Sequence, residues 1–302
     1  MLQRTLKRTA SFVGVGLHSG LSTRVTVKPT GPDQGYVFRL IEGDAAREIV
    51  ARVENVVDTQ RCTTIAAGAA RLHTIEHLLA ALRGLGVDNA EIGIEGPEVP
   101  ILDGSARGFV EFIAAAGVQE QDRPRRRLVI ERRFRLEDDS GYIEVSPDDH
   151  FSVECTIEFA HPQIQRQSII YRDDDAAFVD EIAPARTFGF VSELEKLREA
   201  GLIRGGSLEN AVVFDETSCV NPDGLRFPDE CVRHKVLDVI GDFSLVNAQI
   251  DGKVTAFCPG HSLNNRFLRC LLADPSAYRI EESGDSRRSF RARAPRKSWS
   301  NS

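Results

Sequence analysis

The sequence predicts an α+β fold made of two similar halves, and three observations carry that prediction. Two stretches show the 3.6-residue periodicity of amphipathic helices. The segments around them alternate like half-buried strands. The helices are followed by near-repeats of one another. Val87-Asp88-Asn89-Ala90-Glu91-Ile92 follows the first helix and Leu245-Val246-Asn247-Ala248-Gln249-Ile250 the second. Asn89 lies 12 residues after His77, and Asn247 lies 13 after His234. A strand–helix–strand unit met twice points to a duplicated α+β domain, in which a site between the halves draws one element from each.

In chain order, Arg4 to Pro29 reads as strands around the glycine-rich turn Gly14 to Gly20. Arg24-Val25-Thr26-Val27-Lys28 has the alternation of a half-buried strand. The turn holds His18 and can cradle a phosphate, although it lacks the spacing of either established glycine-rich nucleotide motif. A helix is expected from about Thr74, as N-cap, to Arg83. Ile75, Leu78, Leu79 and Leu82 give it one apolar face, and Gly84 and Gly86 end it. A strand follows at Ala90 to Ile94. The charged stretch Gln119 to Arg127, with Pro124, interrupts the pattern and reads as a break. This divides the chain into a first α+β domain (1–122), a linker (123–127) and a second α+β domain (128–280).

Strands resume at Leu128 to Arg135 and Tyr142 to Val145. The second strong helix is expected from about Asp229 to Asp242, after Pro228, burying Val232, Val236, Leu237, Ile240 and Phe243. Between these, Ala185 to Phe190 leads into an amphipathic segment with Val191, Leu194 and Leu197. Phe188 and Phe190 beside Thr187 either shape an apolar slot or pack as ordinary core. The polar tail, 281–302, ends in Arg288, Arg291, Arg293, Arg296 and Lys297, and a loosely ordered extension is expected.

Length and composition bound the function. The chain has 302 residues, 41% of them apolar, enough for a sizeable core without covalent staples. A net charge of −7 argues against non-specific nucleic-acid binding, so no nucleic-acid partner is expected. The six cysteines form no C-x-x-C pair and no regular framework, which suits free thiols in a reducing compartment. No apolar run of signal-peptide or membrane-span length occurs, so a cytoplasmic protein is expected.

The chemistry-bearing residues cluster on the two helices. His234, Asp238 and Asp242 are spaced i, i+4 and i+8 and lie near one helical stripe, with Lys235 beside them. His and Asp one turn apart either face a metal or form a structural ion pair on a polar face. Glu76 and His77 open the first helix. There a histidine can ligate, and the carboxylate can either take a proton from metal-held water or simply complement the helix dipole. His77, His234 and Asp238 supply the three protein ligands typical of catalytic zinc. His73-Thr74-Ile75-Glu76-His77 also matches the inverted zinc-protease pattern H-x-x-E-H, which requires His73 inside the helix. His261, in a Gly-Pro turn ahead of a helix, is placed to enter a cleft as an imidazolium, with Asp242 to orient it. His150 and His161 read as surface residues.

Taken together, these segments resemble the UDP-3-O-acyl-N-acetylglucosamine deacetylases of lipid A biosynthesis. The resemblance runs from Arg4 to about Ala273. It rests on Gly14 to Gly20, Thr74 to Asn89, Pro100 to Ala106, Arg186 to Phe190, Arg233 to Asp242 and Gly260 to Asn265. It implies two domains, each a β-sheet layered on paired helices, with the active site between them. It also implies zinc on His77, His234 and Asp238, with Fe(II) as a metal the same donors accept. Glu76 is then the general base, and His261 the charged acid oriented by Asp242. Thr187 helps to hold the oxyanion. Phe188 and Lys235 touch the substrate, an acylated UDP-sugar, and Cys62 lies near the metal. The segment after Phe190 forms an acyl-chain passage. Together with His18, these residues make the expected substrate-binding set, and a monomer is expected. The chain departs from the family where a hairpin lysine that meets the substrate is replaced by Gly141, with Arg132, Arg133 and Arg135 nearby. A non-catalytic binder of acylated nucleotide sugars would keep this fold, but it has no need of both a base and an acid.

Overall fold

The computed structural model describes residues 1–282 apart from 44 and 174. The basic residues of the tail, Arg288 to Lys297, lie outside the described residues.

Two five-stranded sheets with the same topology organise the molecule. The first contains β1 (Ala10–Val15), β2 (Ser22–Lys28), β3 (Tyr36–Glu42), β4 (Ala45–Val50) and β5 (Ala90–Glu95), in the order β1-β2-β5-β3-β4. The second contains β6 (Phe134–Asp138), β7 (Gly141–Ser146), β8 (Ser152–Phe159), β9 (Gln165–Arg172) and β10 (Lys253–Phe257), in the order β6-β7-β10-β8-β9. In each sheet the last strand inserts between two hairpins, antiparallel to one neighbour and parallel to the other. A parallel neighbour needs a crossover, and a helix supplies it in both halves. The main helices are α1 (Glu76–Gly84), α2 (Arg107–Ala116), α3 (Val191–Glu199), α4 (Glu230–Phe243) and α5 (His261–Leu272). Each half therefore runs hairpin, hairpin, helix (α1 or α4), inserted strand, helix (α2 or α5). The α3 segment lies outside this repeat.

Alternation sets which face of each sheet is covered. In β2, Thr23, Val25 and Val27 are buried while Ser22, Arg24 and Lys28 are exposed. In β8, Val153, Cys155 and Ile157 point inward. These faces pack on the helices, giving a core that is continuous across the two halves. Every residue of α1 except Arg83 is buried, Glu76 and His77 included. The single apolar face expected of this helix understates its burial, because α1 packs on both α2 and α4. The approach to α4 is close: a Cβ at Gly241 would overlap the carbonyl oxygen of Glu76, so only glycine lets the helices meet there. That contact sets the first turn of α1 against the last turn of α4.

Three local expectations are corrected. Thr74 does not cap α1. Its φ is 61°, and its hydroxyl donates to Glu98 Oε1 at 2.8 Å. The stretch Gln119 to Arg127, expected as a linker, is strand rather than irregular chain. Val118–Pro124 is a strand antiparallel to Leu2–Leu6, and Arg126–Ile130 is another, paired with Gln249–Asp251 and Tyr278–Glu282. Between them Arg125 is buried and donates to Asp88 and to the Gly86 carbonyl, so charge here is used to join elements. His161 is buried rather than on the surface. Its Nε2 lies 3.1 Å from the Asp215 carbonyl, and its ring packs against Phe214 and Phe190. His150 is exposed as expected.

Candidate active site between α1 and α4

The contact at Gly241 brings His77 of α1 to His234 and Asp238 of α4. One donor atom from each of the three lies within 4.8 Å of the others, and all three side chains are buried. His234 Nε2 is 3.4 Å and His77 Nε2 is 3.9 Å from Asp238 Oδ1. The two rings are nearly perpendicular, 5.0 Å apart. His234 Nδ1 donates to the Ala185 carbonyl at 3.0 Å, which leaves its Nε2 as a bare lone pair facing the carboxylate. Asp238 Oδ2 accepts from Lys235 Nζ at 2.9 Å, whereas Oδ1 has no hydrogen-bond partner among the described residues.

Burial, and then the neighbouring His234, lowers the His77 imidazole to about 3, and burial lowers His234 as well. Both rings are therefore neutral at ordinary pH. Asp238 is buried, which opposes its charge, but Lys235 first and the His261 cation with it hold it well below the usual carboxylate range. The His234 lone pair and Asp238 Oδ1 face one another beside the His77 ring, and a cation between these donors would satisfy all three. Two nitrogens and one oxygen suit zinc and leave an open position. The residues present fit a catalytic metal.

Beside this cluster stand a carboxylate and an imidazole. His261 Nε2 lies 3.8 Å from Glu76 Oε1. Burial raises Glu76 to about 7, with Asp242 and Asp238 adding to the effect and His261 opposing it. Burial acts against the His261 cation, but Asp242, Asp238 and Glu76 outweigh it and the imidazole is raised to about 10. His261 Nδ1 donates to Asp242 Oδ2 at 2.8 Å, which fixes the ring with Nε2 turned toward Glu76. Asn264, on the next turn of α5, donates to the same oxygen at 2.8 Å.

The cluster forms part of the wall of a cavity of about 610 Å³, within the range of small-molecule sites. Glu76, His77, His234, Lys235, Asp238 and His261 share this wall with Thr187 and Phe188. Leu194 and Leu197 of α3 continue it with Ile203 and Leu208, giving an apolar stretch beside the chemistry. No residue of α3 is buried in the core, so its apolar side faces this cavity instead. Thr187 and Ala185 are held by Arg186, which is buried and donates to Glu230 Oε1 from both its backbone N–H and Nε, at 3.0 and 2.8 Å. Lys235 Nζ lies 5.7 Å over the Phe188 ring.

Other expected residues fall differently. His18 lines the cavity, but the N–H groups of His18 and Ser19 already donate to Glu98 at 3.0 and 2.7 Å. A carboxylate of the chain itself thus takes the place a phosphate needs in that turn. Cys62 is buried, is not among the cavity-lining residues, and its thiol is pushed up by burial to about 12. It lies close to Glu76 at the edge of the metal-fitting cluster. At Gly141 a Cβ would overlap the Phe257 carbonyl, so no lysine fits. The nearby arginines are engaged elsewhere, Arg132 with Asp274, Arg133 with Glu144 and Arg135 with Glu137. Besides Lys235 and the His261 imidazolium, Arg61 and Arg198 bring positive charge to the cavity wall. His73 lies before α1, with Nδ1 3.0 Å from Thr64 Oγ1, which excludes the inverted protease arrangement. Sequence reasoning missed Thr63, Glu98 and Glu230, because each acts through contacts distant along the chain.

A buried triad able to hold a metal ion, a carboxylate–imidazole pair and an apolar-walled cavity fit the class of metal-dependent hydrolases. The model of one family, described as UDP-3-O-acyl N-acetylglycosamine deacetylase (LpxC), matches residues 3–273, and the chain belongs to that family. It is 50% identical over 280 residues to the UDP-3-O-acyl-N-acetylglucosamine deacetylase of Myxococcus xanthus (strain DK1622), covering 92% of this chain and 88% of that protein. It is 46% identical over 278 residues to the enzyme of that name from Anaeromyxobacter sp. (strain Fw109-5), covering 92% and 91%. For the one from Oleidesulfovibrio alaskensis the figures are 44% over 290 residues and 95% of each. The family expected from the sequence motifs is thus borne out. Among the described residues no helix is long and apolar enough to cross a membrane.

Proposed function

We propose that the chain hydrolyses the acetamide of a UDP-3-O-acyl-N-acetylglucosamine to acetate and the free amine, a step of lipid A biosynthesis. The observation that carries this reading is the 3.8 Å pairing of Glu76 with His261 beside the His77/His234/Asp238 cluster. Zinc is the metal we assign to the cluster, with Fe(II) acceptable to the same donors, and when bound it polarises the carbonyl and acidifies water. Glu76 takes the proton of the attacking water. Protonated His261 and the Thr187 hydroxyl donate to the oxygen that gains charge as the C–O bond forms. The C–N bond then breaks, and the nitrogen receives a proton from Glu76 or His261. Asp242 holds the His261 ring in register throughout. Phe188, Lys235 and His18 contact the substrate from the cavity wall, and the α3 side receives the acyl chain.

The working unit is proposed as a cytoplasmic monomer with no nucleic-acid partner, a reading supported by six free cysteines and the acidic charge balance. The halves are proposed as 1–122 and 128–280, joined through 123–127, a division supported by the repeated order of elements. The test is acetate release from UDP-3-O-acyl-N-acetylglucosamine by purified protein, with metal content measured in the same samples. About one metal per chain together with turnover is the expected result. Tight substrate binding without acetate release would return the binding-protein reading.

A further inference from the structure

We propose that Thr63 is a positioning residue that couples the base to the acid across the two halves. The inference rests on the hydrolytic reading above. Thr63 is 2% exposed and precedes the strand Thr64–Ala67. Its backbone N–H donates to Glu76 Oε2 at 3.0 Å, and its carbonyl accepts from Ile75 N at 3.4 Å, so both backbone groups hold the start of α1. Its hydroxyl donates to Asp242 Oδ1 at 2.6 Å and lies 3.3 Å from His261 Nδ1. One residue therefore holds the carboxylate of the first half and the carboxylate that orients the imidazole of the second.

The Thr63 hydroxyl completes the set of donors around Asp242. Asp242 Oδ2 already accepts from His261 Nδ1 and Asn264 Nδ2. Thr63 satisfies Oδ1 and so keeps the carboxylate plane turned toward His261. Without that donor, a buried carboxylate oxygen is left unpaired and the group rotates to recover a partner. The His261 ring then loses its line to Glu76. Thr63 is not among the cavity-lining residues, so it acts through Asp242 and Glu76 rather than on substrate.

The test compares Thr63→Val, which removes the hydroxyl at nearly constant shape, with Thr63→Ser, which keeps it. Thr63→Val is expected to lower kcat by about 10- to 100-fold, the usual cost of removing an outlying partner of a reacting group. KM and metal content should stay near wild type, and Thr63→Ser should restore most of kcat. In an Asp242→Asn background the valine change should add little, because both act through one hydrogen bond. If the valine protein does not accumulate, Thr63→Ala needs no extra space and carries the same expectation. Wild-type kcat in the valine or alanine protein overturns the proposal. So does a loss that serine fails to restore, a parallel loss of metal, or full additivity with Asp242→Asn. Absence of acetate release by the wild type would instead sink the hydrolytic reading, whatever Thr63 does.

Discussion

Glu76 Oε1 and His261 Nε2 face each other at 3.8 Å, one at the start of α1 and the other at the start of α5. Their shifts favour opposite protonation states: the carboxyl titrates near 7 and the imidazole near 10. In the interval between, a base and an acid coexist within one small volume. A hydrolytic site needs that separation of roles, and it arises from burial of Glu76 and from three carboxylates around His261.

Replacing Glu76 by Gln keeps the shape and removes the base. Turnover is expected to fall by about 10²–10⁴-fold, the usual worth of a positioned acid–base group. Metal content should be unchanged, because Glu76 is not among the three clustered donors. Near-normal kcat in this variant would contradict the assignment.

His234→Ala deletes a donor on α4 and leaves Asp238 Oδ1 facing a single imidazole. Metal measured by elemental analysis should fall well below one per chain, and activity should fall with it. Circular dichroism should be retained, since the apolar residues of α4 still pack. Full metal occupancy in the variant would mean that the ligands lie elsewhere.

The pH profile should be bell-shaped, and the sign of each limb follows from its group. Glu76 acts unprotonated, so activity is lost as pH falls through its pKa. His261 acts protonated, so activity is lost as pH rises through its pKa. A nearby dication favours the carboxylate and disfavours the imidazolium, placing the limbs at or below about 7 and about 10 respectively. Asp242→Asn removes a charge that raises His261 and should move the basic limb downward. An unmoved basic limb in that variant would detach it from His261.

Gly241→Ala places a methyl group against the Glu76 carbonyl, where backbone has no room to yield. Destabilisation of about 1–3 kcal/mol is expected from such overpacking, read from denaturant unfolding. Activity should fall further than stability alone explains, because α1 and α4 carry the clustered donors. Wild-type stability would mean that the two helices stand farther apart.

Leu197→Trp fills the apolar side of the cavity from α3. Turnover of long-chain 3-O-acyl substrates should drop more than that of short-chain ones, with little change in stability because α3 buries nothing in the core. An equal loss for all chain lengths would place the acyl chain elsewhere.

Short-range periodicity made the site elements legible. The spacing of His234, Asp238 and Asp242 is set by 3.6 residues per turn, so their common stripe on α4 follows from the sequence alone. The echo of Asn89 and Asn247 likewise announced two halves, which the matching strand orders of the two sheets bear out. The motifs around these residues were sufficient to identify the family.

The tertiary structure alone decided how those elements meet. The hydroxyl of Thr63 reaches Asp242 across 179 positions of sequence, and no local pattern encodes a pairing at that distance. The same reason explains Glu98 in the glycine-rich turn, Glu230 under Arg186, and the strand formed by the charged segment after Gly117. Hydrophobic periodicity reports which face of an element is buried. It does not report which polar partner a buried group finds, because that depends on elements distant along the chain that meet only in the folded structure.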